Sequence, residues 1–185
     1  MSQVIVLTNV SLDGVMQAPG RVDEDTRGGF RRGGWATPYQ AMQHAGAAFA
    51  NIAGLLLGRR TYEDFYAVWP KRPESPYTGF LNNIPKYVVS RTLKAPLAWQ
   101  NSTILDSCEA VEKIDGELLV LGSGELVHSL AQRGLVGKYI VLIHPLVLGT
   151  GLRLFADGGA YASLSLVDST KTDNGVVMAT YVPAQ

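Results

Sequence analysis

The sequence predicts an α/β fold: a mostly parallel central sheet flanked by helices, with an antiparallel hairpin at the C-terminal end. Three observations carry this expectation. Val4-Ile5-Val6-Leu7, Leu55-Leu56-Leu57 and Leu118–Leu121 are apolar runs of strand length, too short for buried helices. Stretches with apolar residues every three or four positions separate them, as parallel strands joined by crossover helices require. Near the C-terminus two extended runs flank Thr172-Asp173-Asn174-Gly175, and Asn-Gly between strands is a hairpin signal.

Element by element, Val4–Leu7 opens the chain as a β-branched strand that Ser11-Leu12-Asp13-Gly14 breaks. Pro19–Thr37, rich in Gly and Arg, reads as a long surface loop, a length usually reserved for functional or mobile segments. Thr37-Pro38 suits a helix start, and Tyr39, Met42, Gly46, Phe49 and Ile52 then recur at helical spacing, predicting a helix over Tyr39–Ala53. Leu55–Leu57, bracketed by Gly54 and Gly58, reads as a buried strand. Helical spacing resumes over Arg60–Trp69. Further strands are expected at Tyr87–Val89, Leu118–Leu121 and Tyr139–Ile143, with helices at Cys108–Lys113 and Ser123–Gln132. Leu164–Lys171 and Val176–Val182 complete the hairpin.

Length and composition bound the function. At roughly 150 residues per domain, the 185 residues form one domain spanning 1–185. Sixteen basic residues balance sixteen acidic ones, so neither nucleic acid nor an anionic membrane is an expected partner. One cysteine and three scattered histidines supply neither a disulfide nor a structural zinc site, and no metal is expected. Met1-Ser2-Gln3 lacks a basic leader and no apolar run approaches ~18 residues, which points to a cytoplasmic protein.

Three segments could carry chemistry. In Leu55–Tyr62 a buried strand stops at Gly58 and a helix begins at once. Its free backbone N–H groups form an anion site that the Thr61 hydroxyl can extend, and Arg59 and Arg60 match phosphate oxygens. An ordinary junction bearing a surface arginine pair is the alternative. In Glu117–Leu126 a second strand runs through Gly122-Ser123-Gly124 into a helix, so backbone can approach a pyrophosphate closely. Val88-Val89-Ser90-Arg91-Thr92 ends a third strand. Strand C-termini line one edge of a parallel sheet, so Ser90, Arg91, Arg59 and Arg60 can share one phosphate-rich pocket, which favours NADP over NAD.

Together with Ser11-Leu12-Asp13-Gly14, Tyr139–Pro145 and Leu148-Gly149-Thr150-Gly151, these motifs resemble the dihydrofolate reductase superfamily. The branch they are most similar to is the C-terminal reductase domain of the bifunctional riboflavin-biosynthesis deaminase-reductase. The resemblance spans nearly the whole chain. It implies a dihydrofolate-reductase-like sheet binding NADPH. Gly58, Arg59, Arg60 and Thr61 would hold the pyrophosphate and adenosine-side phosphate, and Ser90 and Arg91 would reach the 2′-phosphate. Gly122, Ser123, Gly124, Glu125 and Leu126 would cradle the pyrophosphate, while Val10 and the Asp13–Gln17 loop, with Gly14 and Gln17, would border the nicotinamide. It also implies a homodimer and, by family, a phosphoribosylaminouracil reductase-like activity.

Two departures narrow that activity. No Asp or Glu lies between Asp25 and Glu63, so the first helix lacks the acid with which folate reductases hold the pterin. Leu121 stands where the riboflavin-pathway enzyme has a glutamate. The expected function is therefore an NADPH-dependent reductase delivering hydride to a small polarised C=O, C=N or C=C bond. Asp13 is the expected catalytic residue, as proton relay or substrate anchor, although Asp-Gly is also a common turn. Trp35, Tyr39 and Phe49 would wall the substrate, unless they are core. The alternative is a non-catalytic nucleotide or small-ligand binding protein on the same fold. A short-chain dehydrogenase is disfavoured, since neither an N-terminal glycine fingerprint nor a Tyr-x-x-x-Lys pair is present.

Overall fold

A computed structural model describes residues 3–184. Eight strands form one sheet: β1 (Gln3–Ser11), β2 (Ile52–Gly58), β3 (Lys86–Val89), β4 (Ser102–Leu105), β5 (Glu117–Leu121), β6 (Val136–His144), β7 (Leu164–Lys171) and β8 (Val177–Pro183). Their order is β4-β3-β2-β5-β1-β6-β8-β7. All pairings from β4 through β6 are parallel, and β8 and β7 add antiparallel to that edge. The helices are α1 (Arg59–Val68), α2 (Pro76–Asn83) and α3 (Gly124–Gln132). No described helix is long and apolar enough to cross a membrane.

Strand periodicity explains why the central strands read as continuous apolar runs. Val4, Val6, Leu118 and Val120 point to one face, where α3 delivers Leu126, Val127 and Leu130. Ile5, Leu7, Leu55, Leu57, Leu119 and Leu121 point to the other, against Tyr62 of α1 and Leu81 of α2. Both faces are covered, so both parities must be apolar.

The segment expected as the helix Tyr39–Ala53 is instead two 3-10 stretches, Thr37–Tyr39 and Ala41–Phe49. Gln40 between them is left-handed (φ 50°), which interrupts any helix, and Asn51 (φ 65°) turns the chain into β2. That strand therefore begins at Ile52, three residues before the expected start. Gly54 lies inside it because a Cβ there would sit 2.8 Å from the Tyr87 ring and 2.9 Å from the Pro85 carbonyl. The expected helix Cys108–Lys113 is a 3-10 turn over Glu109–Lys113. Two elements had no counterpart in the sequence reading. One is α2, which begins with Pro76 and is capped by Ser75, whose Oγ accepts from Thr78 N at 3.1 Å. The other is the short strand β4.

The Pro19–Thr37 loop is a folded structure. Gly34 N donates to Ala18 O at 2.8 Å, Ala36 N to Pro19 O at 3.0 Å, and Trp35 Nε1 to Gln17 O at 2.8 Å. Gln17 Nε2 in turn donates to the carbonyls of Asp25 and Arg27 at 3.2 and 3.0 Å. The loop is thereby held where it can wall a cleft.

Candidate functional site: a cleft at the carboxyl ends of the parallel strands

A cleft of ≈ 1170 Å³ opens where β1, β2, β3 and β5 end. In an open parallel sheet this is where ligands bind. The volume exceeds the roughly 300–1,000 Å³ typical of a small-ligand pocket, so it has room for a dinucleotide beside a second molecule.

At one end the two strand-to-helix turns lie side by side, for Gly58 N donates to Ser123 Oγ at 3.0 Å. Gly122 (φ 64°) and Ser123 (φ 56°) are both left-handed, which coils backbone N–H groups toward the cleft ahead of α3. Neither α1 nor α3 is capped by a side chain, and α1 has no acidic residue in its first turn. Both helices thus direct uncapped N-terminal N–H groups and positive dipole ends at one space, α1 with no acid in its first turn and α3 with Glu125, whose carboxylate is held by Arg27. Close approach is guarded by size: a Cβ at Gly124 would meet Met16 Sδ at 3.1 Å. Arg59, Arg60, Ser90 and Arg91 line the same end. The only carboxylate on these arginines among the described residues is Glu63, 3.3 Å from Arg59 across an exposed helical turn, which neutralises little. The residues present fit a pyrophosphate with an additional phosphate.

Of the site residues expected from sequence, Gln17, Gly58, Arg59, Arg60, Thr61, Ser90, Arg91, Gly122, Ser123, Gly124, Glu125 and Leu126 all line this cleft. Val10 and Gly14 line a separate, smaller hollow beside β6, with Tyr139, Val141 and Ile143. Asp13, Trp35, Tyr39 and Phe49 line neither.

Asp13 has other partners. Its carboxylate accepts from Ser11 Oγ at 2.6 Å, Leu148 N at 3.0 Å and Gly149 N at 2.7 Å, tying the end of β1 to the loop after β6. The Ser11 hydroxyl, followed by these amides, lowers its pKa to about 2, so it stays ionised at any ordinary pH. Trp35 is buried among Val15, Ala18, Phe30 and Leu148. Phe49 stands edge-on to Tyr77 and Phe80, with centroids 5.7 and 5.5 Å apart. These aromatics are packed from within.

The far end of the cleft is lined by residues the sequence reading left unassigned. Thr8 and Asn9 come from the end of β1, Met42 from the 3-10 segment, and Phe65, Val68 and Trp69 from α1 and the turn after it. Glu24 lines the loop side, its Oε2 accepting from Gly20 N at 2.7 Å and Arg21 N at 3.0 Å. Burial raises its pKa above the ordinary carboxylate value, against those two amides. Arg21 is bound to Asp64 of α1, and Arg27 to Asp25 and to Glu125 of α3 at 2.6 Å. The loop is thus pinned across the cleft at both helices, and the guanidinium groups of Arg21 and Arg27 are committed to carboxylates. In the sequence, the loop's length and its arginines are the signals that point to this wall.

Behind Asn9 lies His144, fully buried at the end of β6 and hydrogen-bonded to Asn9 Oδ1 at 2.9 Å. Burial lowers its pKa to about 4 from an ordinary 6.5. The folded protein holds the imidazole neutral, whereas the unfolded chain takes up a proton below pH 6.5. His144 therefore contributes full stability above pH 6.5, and that contribution falls away as pH drops toward 4. Denaturant midpoints measured from pH 7 down to pH 4 are expected to fall more steeply in wild type than in His144→Gln.

Fold and cleft define a dihydrofolate-reductase-like domain with a dinucleotide-sized site at the sheet's carboxyl edge. Comparison with known proteins makes this specific. Residues 2–178 match the RibD C-terminal domain family, to which the chain belongs. Among curated proteins it is similar to the uncharacterized protein YyaP of Bacillus subtilis, 29% identical over 139 residues, covering 70% of this chain and 73% of that one. Among solved structures it superposes on a putative riboflavin biosynthesis protein from Shewanella (TM-score 0.69, 18% identity, 99% of both chains). It also superposes on RibD of Acinetobacter baumannii (TM-score 0.65, 15% identity, all of this chain and 59% of that one). Dihydrofolate reductase from Enterococcus faecalis, solved with NADP(H), shares the fold (TM-score 0.58, 13% identity, covering 99% and 97%). Among the described residues no group of three or more His, Cys, Asp or Glu converges to hold a metal ion.

Proposed function

We propose that the chain is an NADPH-dependent reductase that reduces a polarised C=O, C=N or C=C bond of a small molecule. The observation that carries this reading is the convergence of two uncapped helix N-termini and Arg59, Arg60 and Arg91 on one dinucleotide-sized cleft. Membership of the RibD C-terminal domain family and the NADP(H) complex of the Enterococcus relative support it.

When bound, the reduced nicotinamide supplies the hydride. The protein's own residues do the rest. The α1 and α3 N-termini and the Gly122–Ser123 turn hold the pyrophosphate, and Arg59, Ser90 and Arg91 take the extra phosphate. Met16, Gln17 and the loop pinned by Arg21 and Arg27 cover the cleft and exclude water. Asp13 acts from outside the cleft as a positioning residue: it fixes the Ser11–Gln17 turn, whose Gln17 Oε1 accepts from Leu152 N at 2.9 Å. Glu24 is a cleft carboxyl whose pKa burial raises against two backbone amides, and it faces the same space from the loop side. We also propose that the chain self-associates through the β8–β7 edge, where Leu166 and Val167 are 55% and 57% exposed. Sedimentation of the purified chain would show a dimer.

A test of catalysis uses NADPH deuterated at the transferable nicotinamide position, incubated with pooled ketones, imines and enones. Deuterium in any product in a protein-dependent manner establishes the reductase. Tight NADPH binding with no label transferred to any acceptor would favour the non-catalytic binding protein.

A further inference from the structure

Asn9 sits near the C-terminal end of β1 and lines the cleft, and its side-chain oxygen is committed to His144 Nε2 at 2.9 Å. The imidazole is wedged edge-on between Trp35 (centroids 5.2 Å apart) and Tyr39 (5.0 Å), and its Nδ1 is buried with no hydrogen-bond partner. These facts fix a direction. A carboxamide oxygen only accepts, so the proton sits on Nε2 and Nδ1 carries the lone pair. The reverse arrangement would bury an unpartnered N–H, a rarer state than an under-satisfied acceptor. With its oxygen held from behind, the Asn9 amide presents its NH₂ on the opposite side, where no described residue accepts from it.

We propose that Asn9 recognises the substrate, donating a hydrogen bond to an uncharged carbonyl oxygen or ring nitrogen, and that His144, held by Trp35 and Tyr39, is its positioning residue. This rests on the reductase reading and deepens it by naming the substrate class. In the same cleft, Met42, Phe65 and Trp69 offer apolar and aromatic surface, which suits a flat, conjugated molecule. Arg21 and Arg27 are already paired with carboxylates, and Arg72, also in the cleft, is stacked on the Trp69 ring at 4.6 Å, so the Asn9 amide is the group here left to meet a neutral acceptor. The arrangement also gives Trp35 and Tyr39 a role at the site without contact with substrate.

The test is a ligand-observed NMR titration of pyridone, a flat neutral ring carbonyl, against benzoate, both with NADP⁺-loaded protein and with the free protein. Wild type is expected to favour pyridone over benzoate. Asn9→Leu and Asn9→Asp each lower pyridone affinity roughly tenfold, the loss of one directed hydrogen bond, while NADP⁺ affinity stays within about twofold. His144→Phe lowers pyridone affinity comparably, and His144→Gln restores it because a glutamine N–H can still hold the Asn9 oxygen. Nitrogen NMR of wild type shows the Nε2-protonated neutral tautomer. Pyridone affinity unchanged in Asn9→Leu, no pyridone binding by wild type, or a proton on Nδ1 would each overturn the proposal. Failure of NADP⁺ to bind would instead count against the reductase reading, since the tautomer and the free-protein titration judge Asn9 independently.

Discussion

Removing both Arg59 and Arg91 is expected to weaken NADPH binding about 100-fold while changing NADH affinity by less than about threefold. The two nucleotides differ by one phosphate, so a residue that contacts only that group moves one affinity and leaves the other in place. Arg59 shares only a weak exposed pairing with Glu63, and Arg91 has no carboxylate partner among the described residues, so little compensation is lost when either is truncated. Each single substitution should cost roughly tenfold, as for one charge-assisted contact in a wet site. Raising salt should narrow the wild-type preference, because exposed guanidinium–phosphate contacts are screened. Calorimetric titration of wild type and the three variants with both nucleotides checks this. Equal losses for NADH and NADPH would place the arginines on the pyrophosphate instead.

Asp13→Ala is expected to destabilise the fold by about 2 kcal/mol, with a drop in activity that follows from a loosened site. Three donors lose their acceptor at once: the Ser11 hydroxyl and the amides of Leu148 and Gly149. They join β1 to the loop after β6, and the same turn carries Gln17 into the cleft. A proton relay predicts something different: an activity collapse in Asp13→Asn at unchanged stability, and a pH–rate limb belonging to Asp13. Its carboxylate, lowered from 3.8 to about 2, contributes stability above pH 3.8 that is lost as pH falls through about 2. No limb from Asp13 should therefore be seen near neutrality. Denaturant midpoints beside initial rates separate the two accounts.

The parts of the fold that were readable from residues are those where local pattern and tertiary demand agree. Leu55–Leu57 and Leu118–Leu121 are apolar at every position because both sheet faces are covered, and no other environment suits such short runs. Gly58 and Gly122 marked the two turns that face the cleft, although only Gly122, at φ 64°, has a backbone that favours glycine. The helix expected over Tyr39–Ala53 failed for a reason that periodicity does not register. Of the residues whose spacing predicts it, Tyr39, Met42, Phe49 and Ile52 are only half-buried and Gly46 is exposed, and left-handed Gln40 and Asn51 divide the segment from its neighbours. The far end of the cleft was largely illegible. Asn9 and His144 are 135 positions apart, as are Asp13 and Leu148, and only the β1–β6 pairing brings them together. Arg21 and Asp64 are likewise joined through the loop's folding.

The measurement that tests the account most directly is a titration of the purified protein with NADPH and with NADH, followed by nicotinamide fluorescence and thermal shift. A ligand that binds only the folded state raises the unfolding midpoint by mass action, so even micromolar affinity registers at millimolar ligand. The account predicts tight NADPH binding, weaker NADH binding, and a preference that disappears when Arg59 and Arg91 are removed. Absence of binding by either nucleotide would contradict it and leave the cleft to some other anionic ligand.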